Sequence, residues 1–285
     1  MVRIMADSTC DLSPELLERY GIQILPLFVR LGEDEYLDGV NITPDEIYAW
    51  ADKNRTTPKT AAVAMDTVKR AFKDAVAAGD EVVCFAVSSQ MSTTANTMRL
   101  VAEEIGAEDR ILVVDSKNLS TGGGLLVVKA AEMAAAGCGM TEIVETVEAL
   151  RDRVRASFVV DTLTYLHRGG RCSGVAALMG GALKLHPKII VEDGKMIPDK
   201  KYRGRMPHVL MHYVQDMEQA LRQAVPDRVF ITHSGCEESV LNDVKAYLEN
   251  LGRFKEIHIT RAGSVISSHC GPGTLGVLFI AGENA

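Results

Sequence analysis

The feature that most constrains this chain is an alternation, sustained through residues 2–156, of short apolar runs with longer amphipathic stretches. Residues 2–6, 23–29, 81–87 and 111–115 are rich in Val, Ile and Leu and close on polar turns, which predicts strands. Between them the pattern predicts helices over 13–20, with Pro14 in the first turn, over 43–51, opened by the capping box Thr43-x-x-Glu46, and over 65–78. Further helices are expected over 92–105, 122–136 and 141–156. Strands separated by helices return in the same direction, so the expected unit is a parallel sheet covered by helices.

After residue 156 the rhythm changes. Strands are expected over 158–163, 188–192, 195–202, 228–233, 256–261 and 277–281, with a hairpin at Asp193-Gly194. Amphipathic stretches over 206–224 and 237–251 predict helices packed on one face of a mixed, partly antiparallel sheet. The chain therefore reads as two α/β domains, 1–156 and 157–285, a division its length allows. Without a flexible linker between them the domains share a firm interface, which is where ligands prefer to bind.

Charge and composition remove several function classes. A formal net charge of -7 argues against nucleic acid and anionic lipid surfaces as partners, since both demand a basic face. No run of ~20 apolar residues is present, so no stable membrane insertion is expected. The first residues lack a basic region followed by an apolar one. Six scattered cysteines, Cys10, Cys84, Cys138, Cys172, Cys236 and Cys270, form no C-x-x-C pair and read as small hydrophobes in a reducing compartment. The expected location is the cytoplasm. Seven histidines show no metal-ligand spacing, so no catalytic metal is expected. Gly122-Gly123-Gly124 fits neither dinucleotide nor P-loop spacing, and no G-x-S-x-G elbow occurs.

What remains is a set of polar loops. Asp7-Ser8-Thr9, the run Ser88 to Thr94, and Asp115-Ser116 follow the first, third and fourth strands of the first domain, the sheet edge at which open parallel sheets bind ligands. Each hydroxyl either caps the helix behind it or, with the free amides of the helix start, receives a carboxylate or phosphate. Thr56-Thr57-Pro58-Lys59-Thr60 is a similar loop. Near the end, His269-Cys270-Gly271-Pro272-Gly273 sets a titratable ring beside a tight turn, and the ring is either a structural partner of that turn or a site group. The stretch Phe158 to Ser173 sets Asp161, Arg168 and Arg171 around a Gly169-Gly170 break, and Arg203-Gly204-Arg205 is a second basic loop.

Taken in order, Asp7-Ser8-Thr9, Ser88-Ser89-x-x-Ser92, Val114-Asp115-Ser116, Phe158-x-Val160-Asp161-Thr162-Leu163-x-Tyr165-Leu166-x-Arg168-Gly169-Gly170-Arg171, Asp193-Gly194-Lys195, Arg203-Gly204 and His269-x-Gly271-Pro272-Gly273 resemble the DegV family. These are fatty-acid-binding proteins that serve as the lipid-carrying subunit of bacterial fatty acid kinase. The resemblance spans essentially the whole chain. It implies a long-chain fatty acid held between the two domains, its tail in an apolar tunnel and its carboxylate near the interface.

By that resemblance Thr60 and Ser92 match the carboxylate-binding hydroxyls, Thr93 offers a backbone N–H, and His269 completes the head-group site. Arg171, and more weakly Arg203, match a surface that docks the kinase subunit. The implied role is that of a substrate carrier with no catalytic residues and no cofactor of its own. ATP and magnesium belong to the kinase, which forms an acyl phosphate for phospholipid synthesis. The chain departs from the family pattern in three places: Thr60-Ala61-Ala62-Val63-Ala64 stands for Thr-Ser-x-Pro-Ser, Met91-Ser92-Thr93 for Leu-Ser-Gly, and His186 for a basic residue near the end of a central helix. Two other readings of the residues are a hydrolase or acyltransferase, with Ser92 as nucleophile and His269 as base, and a lipid sensor that delivers nothing.

Overall fold

Strand β1 (Val2–Asp7) leads through a 3-10 turn at Ser8–Cys10 into helix α1 (Pro14–Tyr20), whose first turn is capped by Ser13. This is a computed structural model that describes residues 1–172, 174 and 185–283; Ser173, the end of the glycine-arginine stretch, lies outside the described residues. Pro26 has no N–H for a strand ladder, and it divides the single strand expected over 23–29 into β2 (Gln23–Leu25) and β3 (Phe28–Leu31). Strand β4 (Asp34–Leu37), helix α2 (Pro44–Asn54) with its Thr43–Glu46 capping box, and strand β5 (Lys59–Ala61) follow. β4, β3 and β5 form an antiparallel sheet that the sequence pattern does not announce.

Helix α3 (Met65–Ala77), β6 (Glu81–Ala86), α4 (Thr94–Glu104), β7 (Ile111–Asp115), α5 (Ser120–Ala135) and α6 (Met140–Arg151) complete the first half. The main sheet has the order β2-β1-β6-β7 with every pair parallel, as the strand–helix alternation requires. α3 and α4 cover one face, with Phe72 and Met98 fully buried; α1, α5 and α6 cover the other.

The chain turns to strand earlier than expected. α6 ends at Arg151 and β8 (Val154–Val159) begins where the pattern predicts helix, because Val154, Ala156 and Phe158 alternate onto one buried face and pair with the last strand of the chain. Helix α7 (Thr164–Gly169) occupies the glycine-arginine motif. β9 (Leu185–Glu192) and β10 (Lys195–Arg203) form the expected hairpin, with Asp193 and Gly194 both at positive φ (47° and 77°), as a type I′ turn demands. The long helix expected over 206–224 breaks at Met217 into α8 (Met206–Asp216) and α9 (Glu218–Gln223). β11 (Arg228–His233), α10 (Glu238–Asn250), β12 (Glu256–Arg261), α11 (Ser264–Cys270) and β13 (Leu275–Ile280) close the fold.

This second sheet has the order β10-β9-β8-β13-β11-β12, antiparallel except for β11–β12, and α8 and α10 pack on one face. Its other face meets α5. That helix is buried from Ser120 through Val128 and carries only Lys129 and Glu132 as charged residues, a composition that suits burial between two layers rather than a surface position. A side-chain carbon at Gly124 would lie 2.7 Å from the Cys10 carbonyl and 2.9 Å from Leu12, so the triple-glycine run allows close packing. Both sheets thus share one core around α5, and a smaller apolar cluster, including Val87, Leu119, Met196 and Cys270, fills the seam between them. No described helix is long and apolar enough to cross a membrane.

Candidate functional site

A cavity of about 460 Å³ opens in that seam, within the range of about 300–1,000 Å³ that small-molecule sites occupy. Leu27, Val87, Leu119, Met196, Val265 and Ile266 form an apolar wall, while Thr9, Thr60, the loop of Ser89, Gln90, Ser92 and Thr93, Arg171 and His269 supply its polar groups. Each comes from a different element. Thr60 lies on β5, whose pairing with β3 fixes its direction; Ser92 and Thr93 precede α4; His269 lies in the last turn of α11.

Thr60 and His269, 209 residues apart, meet at 2.8 Å between Oγ1 and Nε2. Burial of the ring, with the nearby positive charge of Arg171, pushes the His269 pKa from 6.5 down to about 4, so the imidazole is neutral at physiological pH. Its Nδ1 is buried without a hydrogen-bond partner among the described residues and rests against Gly169, where an added side-chain carbon would lie 2.4 Å away. Glycine in the motif at 168–171 therefore makes room for the ring.

Ser92 accepts from the Thr94 amide at 3.2 Å and pairs with Thr94 Oγ1 at 2.9 Å, so it occupies the first free amide of α4 and also lines the cavity. The exposed Thr93 stands beside it at the positive end of the α4 dipole. Arg171 sits on the rim, exposed, donating to the Gly169 carbonyl at 2.7 Å. Its positive charge contributes to the field at His269.

Thr60, Ser92, Thr93, His269 and Arg171 thus share one cavity. Arg203, at the end of β10, does not line it. His186 lies on β9, with Nε2 3.2 Å from the Gly204 carbonyl and Nδ1 3.4 Å from Asp161.

The three hydroxyl loops divide between the two roles open to them. Asp115 and Ser116 serve their own turn, accepting from the Lys117 and Asn118 amides. Ser88 donates to the Gly194 carbonyl at 2.7 Å and ties the β9–β10 hairpin to the first sheet. In the first loop Thr9 lines the cavity, held by Asp7, whose carboxylate takes the Thr9 and Val87 amides at 2.9 and 2.7 Å.

Sequence reasoning did not find Asp11 and Asp38, two buried acids that take the amides of Gly263 and Ser264 at the start of α11. Their aspartate-to-amide pairings span more than two hundred residues and leave no local pattern. The geometry also bears on hydrolysis: the described hydrogen bonds pair His269 with Thr60 and Ser92 with Thr94, and no carboxylate orients the free ring nitrogen. A nucleophile–base–acid relay is not assembled among the described residues.

A family model described as an uncharacterised protein of the DegV family matches residues 1–282. A DegV domain-containing protein of Deinococcus radiodurans is 32% identical over 277 residues, covering 97% of each chain. Among solved structures, a DegV family protein from Thermus thermophilus, described by its fatty acid binding, superposes with a TM-score of 0.90 at 28% identity, covering 98% of this chain and 99% of that one. A fatty acid (stearic acid)-binding protein from Eubacterium ventriosum gives a TM-score of 0.84 at 29% identity, covering 99% and 98%. DegV of Bacillus subtilis, described as a fatty acid binding protein, gives 0.84 at 26% identity, covering 98% and 99%.

Proposed function

The chain belongs to the DegV family, and from that premise we propose that it binds one long-chain fatty acid in the cavity between its sheets and presents the carboxylate to a partner kinase. The observation that carries this reading is the composition of the cavity: an apolar wall of Leu27, Val87, Leu119, Met196, Val265 and Ile266 facing polar groups that include the Thr60–His269 pair, Ser92 and the α4 start, with Ser89, Gln90 and Arg171 beside them. Burial of ~16 carbons at about 0.8 kcal/mol per methylene gives roughly 12 kcal/mol gross before the costs of binding. Two hydroxyls and a neutral imidazole add about 1 kcal/mol each, and they chiefly spare the carboxylate the larger penalty of burial without partners. The tail supplies affinity and the head group supplies orientation.

Phosphorylation then requires that one carboxylate oxygen be held while the other attacks the γ-phosphorus of ATP on the kinase, with ADP leaving. The metal and phosphate-binding groups belong to that partner, and this chain contributes positioning. Arg171, exposed on the cavity rim, and Arg203 offer guanidinium groups for docking.

The expected result of Ser92→Ala or His269→Ala is therefore a split. The rate of phosphorylation by a DegV-partner kinase falls roughly tenfold or more, while retention of palmitate, read by native mass spectrometry, falls by less. Equal and complete loss of both in both variants contradicts this division of labour. Hydrolysis of acyl esters, abolished by Ser92→Ala, would instead favour an enzyme; retention without any transfer to a kinase would favour a sensor.

A further inference from the structure

We propose that Asp11 and Asp38 are positioning residues of the head-group site, acting through helix α11 on His269. α11 has seven residues, too few to hold a helix by local hydrogen bonding alone, yet it contributes Val265, Ile266, His269 and Cys270 to the cavity. Three of its residues are serines, which favour caps and turns over helix interiors. Its geometry must be imposed from outside.

The two carboxylates do this at its first turn. Asp11 Oδ1 accepts from the Gly263 amide at 2.8 Å and Asp38 Oδ1 from the Ser264 amide at 2.7 Å. Both are otherwise orphan donors of a helix start, where negative charge also meets the positive end of the dipole. The second oxygens are occupied as well, Asp11 by the Ser120 hydroxyl and Asp38 by the Ser8 hydroxyl at 2.8 Å. An added side-chain carbon at Gly263 would lie 3.1–3.2 Å from oxygens of both acids, so the two converge on one point.

Both acids reside in the N-terminal half, on the loops after β1 and β4, whereas the helix they hold comes from the C-terminal half. Asp11 is 6% and Asp38 2% exposed, with the buried Asp7 close enough for its charge to act on Asp11. Burial raises the pKa of all three carboxyls, which makes the arrangement costly as a source of stability. What directional carboxylate–amide bonds add over apolar contact is a fixed axial position and rotation of α11. That rotation sets the 2.8 Å contact of His269 with Thr60.

The test follows His269 itself, in the full-length, ligand-free chain, by NMR titration of its ring proton. In Asp38→Ala the His269 midpoint moves up from about 4 toward its ordinary 6.5, by about one unit or more. Asp38→Asn, which keeps an acceptor for the Ser264 amide, restores the wild-type titration. Palmitate leaves the Asp38→Ala protein about two- to threefold faster, and Asp38→Asn reverses this too. Should Asp38→Ala fail to fold, Gly263→Ala, which drives a methyl between the two acids, carries the same readout.

An unmoved His269 titration in Asp38→Ala, Asp11→Ala and Gly263→Ala, accompanied only by lower thermal stability, overturns the proposal. The palmitate arm rests on the acyl-binding reading and the titration arm does not. A shifted titration without palmitate binding therefore supports the positioning role and counts against that reading.

Discussion

Ala62→Phe is expected to lower fatty acid affinity by roughly a hundredfold while leaving the fold intact. Ala62 lines the cavity just beyond β5 and is only partly buried, so a larger side chain there can enter the cavity without displacing a packed core. A phenyl group excludes several methylenes of the ligand, and at about 0.8 kcal/mol each this removes about 3 kcal/mol of binding, or roughly two orders of magnitude. Fluorescence displacement of a bound fatty acid analogue measures the affinity, and the far-UV spectrum and melting temperature report the fold. Unchanged affinity in a folded variant would place the acyl chain elsewhere.

The second large effect is a pH dependence of stability with two opposed parts. His269 titrates at about 4 in the fold against an ordinary 6.5. A base depressed in this way contributes stability that is present above pH 6.5 and is lost as pH falls toward 4. Asp7 behaves oppositely, because burial raises it from 3.8 to about 6 despite its bonds to Thr9 and Val87. Its contribution is present below pH 3.8 and is lost as pH rises through 6. Each shift corresponds to about 3 kcal/mol, so across the shared window the two nearly offset one another.

Single variants separate them. The unfolding free energy of wild type minus that of His269→Asn should rise by about 3 kcal/mol between pH 4 and 6.5. Wild type minus Asp7→Asn should fall by about 3 kcal/mol between pH 3.8 and 6. Urea denaturation across this range measures both differences. A flat difference for His269→Asn would mean that the ring titrates normally and is not held neutral by burial.

The parallel sheet was legible because its signal is local and periodic: β1, β6 and β7 are apolar runs of five or six residues between amphipathic helices. The sheet that carries Thr60 was not, since β4 has four residues and β5 three, lengths at which alternation has no statistical weight. β8 was misplaced because Val154, Arg155 and Ala156 continue a helical composition, and only their pairing with β13 makes them strand. α11 escaped notice for a related reason. Its seven residues, three of them serine, gain their helical form from contacts that the sequence places far away.

The residues named from the sequence for the head group do gather at one cavity, but their partnerships could not be read in advance. His269 was visible as a titratable ring next to Gly-Pro-Gly, and nothing local identifies Thr60 as the group it meets. The hydroxyl loops illustrate the same limit from the other side. Ser92 takes the first amide of α4 and lines the cavity at once, whereas Asp115 and Ser116, on the same sheet edge, close their own turn, Asp115 also taking the Ser89 amide at 3.3 Å, and do not line the cavity.

The most direct test of the central claim is native mass spectrometry of the protein purified from a bacterial host, followed by denaturing extraction of any ligand. The account predicts a one-to-one adduct with the mass of a long-chain fatty acid, released on denaturation and absent or sharply reduced in Ala62→Phe. A protein that remains empty after incubation with mixed long-chain fatty acids would contradict it.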